Sequence, residues 1–200
     1  TAMKPRTGGE LVVDSLLAHG ATHLFGVPGE SYLPILDALH DVGDRLTFVT
    51  CRQEGGAAYM AEAYGKLTGR PGIALVTRGP GASNAAIGIH TAAQDSTPML
   101  VLVGQVDTEA ADREAFQEID YRRMFGSVAK WVAQVDRAER IPEYLSRAFV
   151  AAMSGLAPPH DIATTIVVAA AIATLATGAV MLSLGYFRLG QLIAPGHEGL

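Results

Sequence analysis

T-C-R-Q-E-G-G-A-A-Y-M-A-E-A-Y-G-K-L-T-G-R-P-G-I-A-L-V-T-R-G-P-G, residues Thr50 to Gly81, is the stretch that decides the fold. Gln53 to Leu67 is rich in Ala and Gly and reads as a helix with one carboxylate, Glu54, at its start. Thr68-Gly-Arg-Pro-Gly72 stops that helix, because Gly and Pro punctuate regular structure. Ile73 to Thr77 then reads as an apolar strand, and a Gly-Pro-Gly turn leads into a second small-residue helix, Gly81 to Thr91.

The same alternation extends in both directions. Upstream, Leu11, Val12, Leu16 and Leu17 have helical spacing within Gly8 to His19, and Gly20 ends that helix. His23 to Val27 is a strand, Pro28-Gly29 a turn, and Ser31 is expected to N-cap a helix reaching Leu39. Leu46 to Val49 is a second strand. Downstream, Met99 to Val103 is a fourth, Trp131 to Val135 a fifth, and Ile141 to Met153 a closing amphipathic helix. Strands alternating with helices across short loops predict an α/β domain with a parallel sheet flanked by helices. The apolar runs Ile73–Val76 and Met99–Val103 are expected at its buried centre. Ligands in such sheets sit at the carboxyl ends of the strands, which here means Cys51 to Glu54, Arg78 to Asn84 and Gly104 to Val106.

Composition narrows the function classes. A net charge of −5 argues against nucleic acid as a partner. The single cysteine, Cys51, cannot form an internal disulfide, which suits a reducing, cytoplasmic setting. No apolar leader is read in Thr1 to Gly20, which carries Lys4, Arg6, Glu10 and Asp14. His19, His23 and His40 lack metal-ligand spacing with other donors, so no metal is assigned to this chain.

Four short segments could carry chemistry. Glu54, taken by position, is a first-turn carboxylate favoured by the helix dipole; Gly55, Gly56, Ala57 and Ala58 beside it also leave room for a flat ring or another backbone. Arg78-Gly-Pro-Gly-Ala-Ser-Asn84 makes a sharp turn that opens helix amides at its end, and it is not a Walker loop, having no Gly-Lys-Ser/Thr. Gly26-Val-Pro-Gly-Glu30 is a βα turn. Ala115-Phe-Gln-Glu-Ile-Asp120 reads either as a surface turn with one buried Phe or as part of a site.

Taken in order, these segments resemble the pyrimidine-binding, N-terminal domain of thiamin-diphosphate enzymes of the acetolactate synthase type, over about residues 5 to 155. The resemblance implies a division of roles. Glu54 would hydrogen-bond the pyrimidine of thiamin diphosphate and favour the imino form that takes the thiazolium proton. Pro28, Gly29, Gly81 and Asn84 would lie against the cofactor, while Phe116 and Gln117 would face the substrate, with Gln117 also catalytic. The glutamate then needs a water-poor site, where desolvation favours proton sharing more than the small dipole term opposes it. The reaction implied is decarboxylation of a 2-oxo acid such as pyruvate and ligation to a second carbonyl compound, as in branched-chain amino acid biosynthesis. Many acetolactate synthases have a small residue where this chain has Glu30, which leaves the substrate open.

In that family the active site lies between the pyrimidine domain of one subunit and the diphosphate-binding domain of another, whose Gly-Asp-Gly…Asn signature holds Mg²⁺. Gly43-Asp44 is followed by Arg45 and is no substitute. The chain is therefore expected to be inactive by itself and to need a homo-oligomer or a subunit bearing the diphosphate domain. A non-catalytic oligomerisation module is the alternative.

The pattern changes after Gly155. Residues 156–200 read as an atypical apolar tail: charges are absent between Asp161 and Arg188, and about 20 apolar residues suffice to span a bilayer. A long apolar helix over 162–187, membrane-spanning or buried in a partner, is expected, with a truncated, fused or membrane-anchored chain as its corollary. Leu182 to Ile193 is faintly similar to a membrane helix of sulfate-permease-type transporters.

Overall fold

A computed structural model describes residues 6–155. The apolar tail, with its expected membrane helix and its permease-like segment, lies outside the described residues. Among the described residues no helix is long and apolar enough to cross a membrane.

Four strands, β1 (His23–Gly26), β2 (Thr47–Thr50), β3 (Gly72–Val76) and β4 (Met99–Val103), form one sheet in the order β2-β1-β3-β4. Every neighbouring pair is parallel, with Phe25 opposite Val49 on one side and Ala74 on the other, and Ala74 opposite Val101. The helices α1 (Gly8–Ala18), α2 (Leu33–Val42), α3 (Glu54–Thr68), α4 (Pro80–Asp95), α5 (Tyr121–Phe125) and α6 (Ile141–Met153) complete the described fold. After β1 the chain crosses outward to β2; after β3 it crosses the other way to β4. The β1/β3 boundary is therefore the point where strand order reverses, and a crevice opens outside the carboxyl ends of strands at such a point.

Side-chain alternation sorts the two faces of the sheet. Leu24, Ile73 and Leu100 join Val13, Leu16, Leu39, Leu145 and Phe149, a core built with α1, α2 and α6. Phe25, Ala74 and Val76 face the other way, onto Ala57, Ala58, Ala61, Ala82 and Ala85 of α3 and α4. α1 starts at a capping box: Thr7 Oγ1 accepts from the Glu10 amide at 3.2 Å, and Glu10 Oε2 accepts from the Thr7 amide at 2.7 Å. Gly20 follows that helix at φ 74°, as its sequence position suggests.

Three expectations are corrected. Trp131 to Val135 is not a strand. Residues 121–132 instead pack Tyr121, Met124, Val128 and Val132 onto the buried cluster of Val76, Ala82, Ala85 and Phe125, which Met99, Val101 and Val103 of β4 also cover, contributing side chains rather than a ladder. Trp131 is taken up by α6, packing against Tyr144 and beneath the Arg147 guanidinium. β4 accordingly lies at the edge of the described sheet with only Leu100 fully buried, whereas β3 is buried throughout. Ser31 does not cap α2. It sits inside a 3₁₀ turn, Glu30–Tyr32, and the helix begins at Leu33 with Pro34 in its first turn, where a missing N–H costs nothing.

Candidate functional site

Glu54 is the first residue of α3, directly after β2. The preceding Gln53 has extended backbone, and its side-chain oxygen accepts from the Gly56 amide at 3.0 Å, which caps the helix. The Glu54 carboxylate is half-buried. Its Oε2 accepts a hydrogen bond from Asn84 Nδ2 at 2.9 Å, and this is the one hydrogen bond it makes among the described residues. Its Oε1 lies beside Gly81, where a Cβ would come within 3.5 Å of that oxygen and 2.3 Å of Thr77 Oγ1. One carboxylate oxygen is thus fixed by an amide, and the other borders a position kept free of side chain.

Small residues make this meeting possible. α3 and α4 come so close that a Cβ on Gly88 would lie 2.5 Å from that of Ala58, and one on Gly55 would lie 3.2 Å from the Asn84 carbonyl. Glu54 and Asn84, thirty residues apart, are brought together by backbones that larger side chains would hold apart.

The β1 loop closes the other side. Pro28 is exposed, and Gly29 is pressed against Thr77, whose Cγ2 would be 1.9 Å from a Cβ there. Tyr32, 2% exposed, donates its hydroxyl to the Val27 carbonyl. Burial, and secondly the negative charge of Glu54, push its pKa from 10 up to about 12. Ser31 Oγ is buried without a hydrogen-bond partner, packed where a Cβ on Gly104 would be 2.1 Å away.

Phe116 and Gln117 belong to the loop between β4 and α5. Gln117 has φ 64° and packs on Gly79, itself at φ 63°, whose missing Cβ would be 2.7 Å from that of Gln117. The Gly79 amide donates to Tyr121 Oη at 2.9 Å. Burial raises the Tyr121 pKa, opposed by the Gly79 hydrogen bond and by the charge of Arg78. Phe116 is 75% exposed and engages the fold through its carbonyl, which accepts from Arg78 Nε at 2.9 Å. The ring is neither buried in a turn nor packed into a site. The structure therefore brings Glu54, Asn84, Gly81 and Gly29 together around Thr77 beyond the carboxyl ends of the strands, leaves Pro28 exposed in the β1 loop, and sets Gln117 against Gly79. The sequence reading missed Gln53, Tyr32, Thr77 and the Arg78–Glu30 ion pair of 2.9 Å. None of these is given by residue spacing; Glu30 and Arg78 lie in turn motifs far apart in the chain.

The arrangement suits the aminopyrimidine end of thiamin diphosphate: a carboxylate with one oxygen unbonded among the described residues, and a cradle kept open by Gly29 and Gly81. Among the described residues no group of three His, Cys, Asp or Glu side chains could hold a metal ion.

Comparison with known proteins places the chain in a family. Residues 6–124 match the family model described as thiamine pyrophosphate enzyme, N-terminal TPP binding domain. Acetolactate synthase of Bacillus subtilis (strain 168) is 41% identical over 150 residues, 75% of this chain and 26% of that protein. The acetolactate synthase isozyme 3 large subunit of Escherichia coli (strain K12) is 44% identical over 157 residues, 78% of this chain and 27% of its own. The mitochondrial acetolactate synthase catalytic subunit of Saccharomyces cerevisiae is 39% identical over 153 residues, 76% and 22% respectively. The chain spans about a quarter of the length of these curated relatives.

Proposed function

The chain belongs to the thiamine pyrophosphate enzymes, as their N-terminal TPP binding domain, and from that premise we propose that it supplies the pyrimidine-recognising half of an acetolactate-synthase-like active site. The observation that carries this reading is the Glu54 carboxylate, held at Oε2 by Asn84 and open at Oε1 beside Gly81. When bound, thiamin diphosphate supplies the electron sink for 2-oxo acid decarboxylation and carboligation. Glu54 would accept or share a proton at Oε1 with the pyrimidine, Asn84 would fix the carboxylate's direction, and Gly29 and Gly81 would let the ring approach.

Pyruvate is the substrate class that fits, with Gln117 toward the substrate and catalytic and Phe116 beside it. Mg²⁺ and the diphosphate would be held by a diphosphate-binding domain, contributed by a second copy or another subunit in the cytoplasm. The boundary after Gly155 separates this domain from the apolar tail, for which membrane attachment is the extended proposal. An assembly surface is available: Tyr59 and Met60 of α3 and Ile87 of α4 are exposed apolar side chains on the two helices that carry Glu54 and Asn84.

In the complete assembly with pyruvate, Glu54→Gln is expected to cut turnover by about 10²–10⁴-fold, the range for a positioned proton-transfer group, with the fold intact by circular dichroism. Turnover within threefold of the unaltered protein would overturn the proposal. If Tyr59→Asp with Ile87→Asp separates the assembly but Glu54→Gln leaves activity untouched, the chain is an oligomerisation module instead.

A further inference from the structure

The loop bearing Phe116 and Gln117 is backbone-strained. Asp112 (φ 62°), Glu114 (φ 55°) and Gln117 (φ 64°) all occupy the left-handed region without being glycine. Such residues persist where their surroundings over-determine them. Inside the loop Glu118 does part of this: its Oε1 accepts from the Asp112 amide at 2.7 Å and its Oε2 from the Ala115 amide at 3.1 Å. These bonds tie the loop to itself, not to the crevice.

The tie to the crevice is Arg78. Its side chain is 15% exposed. One edge of its guanidinium serves two acceptors on different segments: Nε donates to the Phe116 carbonyl at 2.9 Å and Nη2 pairs with Glu30 Oε1 at 2.9 Å. The β1 turn, the β3 turn and the β4–α5 loop, which share no ladder hydrogen bonds at these points, are thus joined through one planar cation.

We propose that Arg78 is a positioning residue, braced by Glu30, that holds the Phe116–Gln117 turn against Gly79 at the rim of the cofactor crevice. The significance for substrate rests on the reading that Gln117 faces the substrate; the latch itself does not. A lysine cannot replace Arg78, because a point charge lacks the fork that meets a carbonyl and a carboxylate together. Glu30, 60% exposed, makes the brace sensitive to salt.

The test is amide hydrogen exchange on the 200-residue chain, following the hydrogen-bonded amides of Asp112, Ala115 and Glu118. Arg78→Ala is expected to speed exchange at these amides by about 10- to 150-fold, the range for one charge-assisted hydrogen bond, with β3 amides unchanged. Arg78→Lys is expected to restore less than half of that protection. Glu30→Gln is expected to give an intermediate increase, and 1 M NaCl should raise exchange in the unaltered chain but add nothing in Glu30→Gln. Loop exchange unchanged in Arg78→Ala, or salt acting equally on both proteins, would overturn the latch. In the complete assembly, Arg78→Lys should lower kcat/KM through KM for pyruvate more than through kcat. Loss of loop protection with unaltered turnover would keep the latch and remove the loop from the substrate side.

Discussion

The two faces of the sheet are built by opposite rules. On the α1/α2/α6 face, Leu16, Leu24, Leu39, Ile73, Leu145 and Phe149 fill a core of large side chains. On the α3/α4 face, alanines and glycines bring two helices nearly backbone to backbone, as at Gly88 over Ala58. Large buried side chains each contribute about 1.5–3 kcal/mol of burial free energy, and alanines much less. The difference teaches that stability and site geometry are supplied from different sides: the large-residue face holds the domain together, and the small-residue face sets the separation at which Asn84 reaches Glu54.

The largest break in that comparison is on the stabilising face. Leu16, fully buried, becomes a cavity in Leu16→Ala, with a loss of about 2–5 kcal/mol in denaturant unfolding. Cofactor-induced changes at Glu54 and Asn84 should persist in the fraction that stays folded. Their disappearance there would show that the two faces are not separable.

Next comes Tyr32. Its raised pKa means that folding favours the neutral phenol, so the stabilisation is full below about pH 10 and drains away as pH climbs to about 12. The unaltered chain should lose about 2–3 kcal/mol more than Tyr32→Phe across that window. Parallel pH profiles for the two proteins would remove Tyr32 from the crevice account.

A smaller but more pointed effect is expected from Gly88→Ala. The added methyl would meet the Ala58 Cβ at 2.5 Å and its carbonyl carbon at 2.8 Å, so the helices must part. Overpacking of about 1–3 kcal/mol outweighs the roughly 1 kcal/mol of helix propensity gained. Cofactor response should fall although less stability is lost than in Leu16→Ala; an unimpaired response would contradict the spacing role. Smallest is Thr7→Ala, which removes the α1 cap for about 1 kcal/mol by thermal unfolding and leaves the crevice unchanged.

Much of this was legible in the chain itself. Gly and Pro punctuation placed β1 to β4 and their helices, and the residue types after each strand put Glu54, Gly81 and Asn84 at one end of the sheet. Three features were hidden for identifiable reasons. Trp131 to Val135 has strand composition, but Trp131 packs on Tyr144 of α6 and Val132 on the Val76/Phe125 cluster, contacts that periodicity cannot show. Ser31 has a cap residue's chemistry, yet Pro34 lets α2 start at Leu33 without it. The Glu30–Arg78–Phe116 junction joins segments far apart in the chain, a pairing that sequence spacing cannot reveal.

The most direct test of the central claim is an NMR titration of the ¹⁵N-labelled chain with thiamin diphosphate, which detects weak binding to half a site. The account predicts saturable shifts concentrated at the amides of Gly29, Glu54, Gly81 and Asn84, and their loss in Glu54→Gln. Shifts located elsewhere, or unaltered by Glu54→Gln, would contradict it.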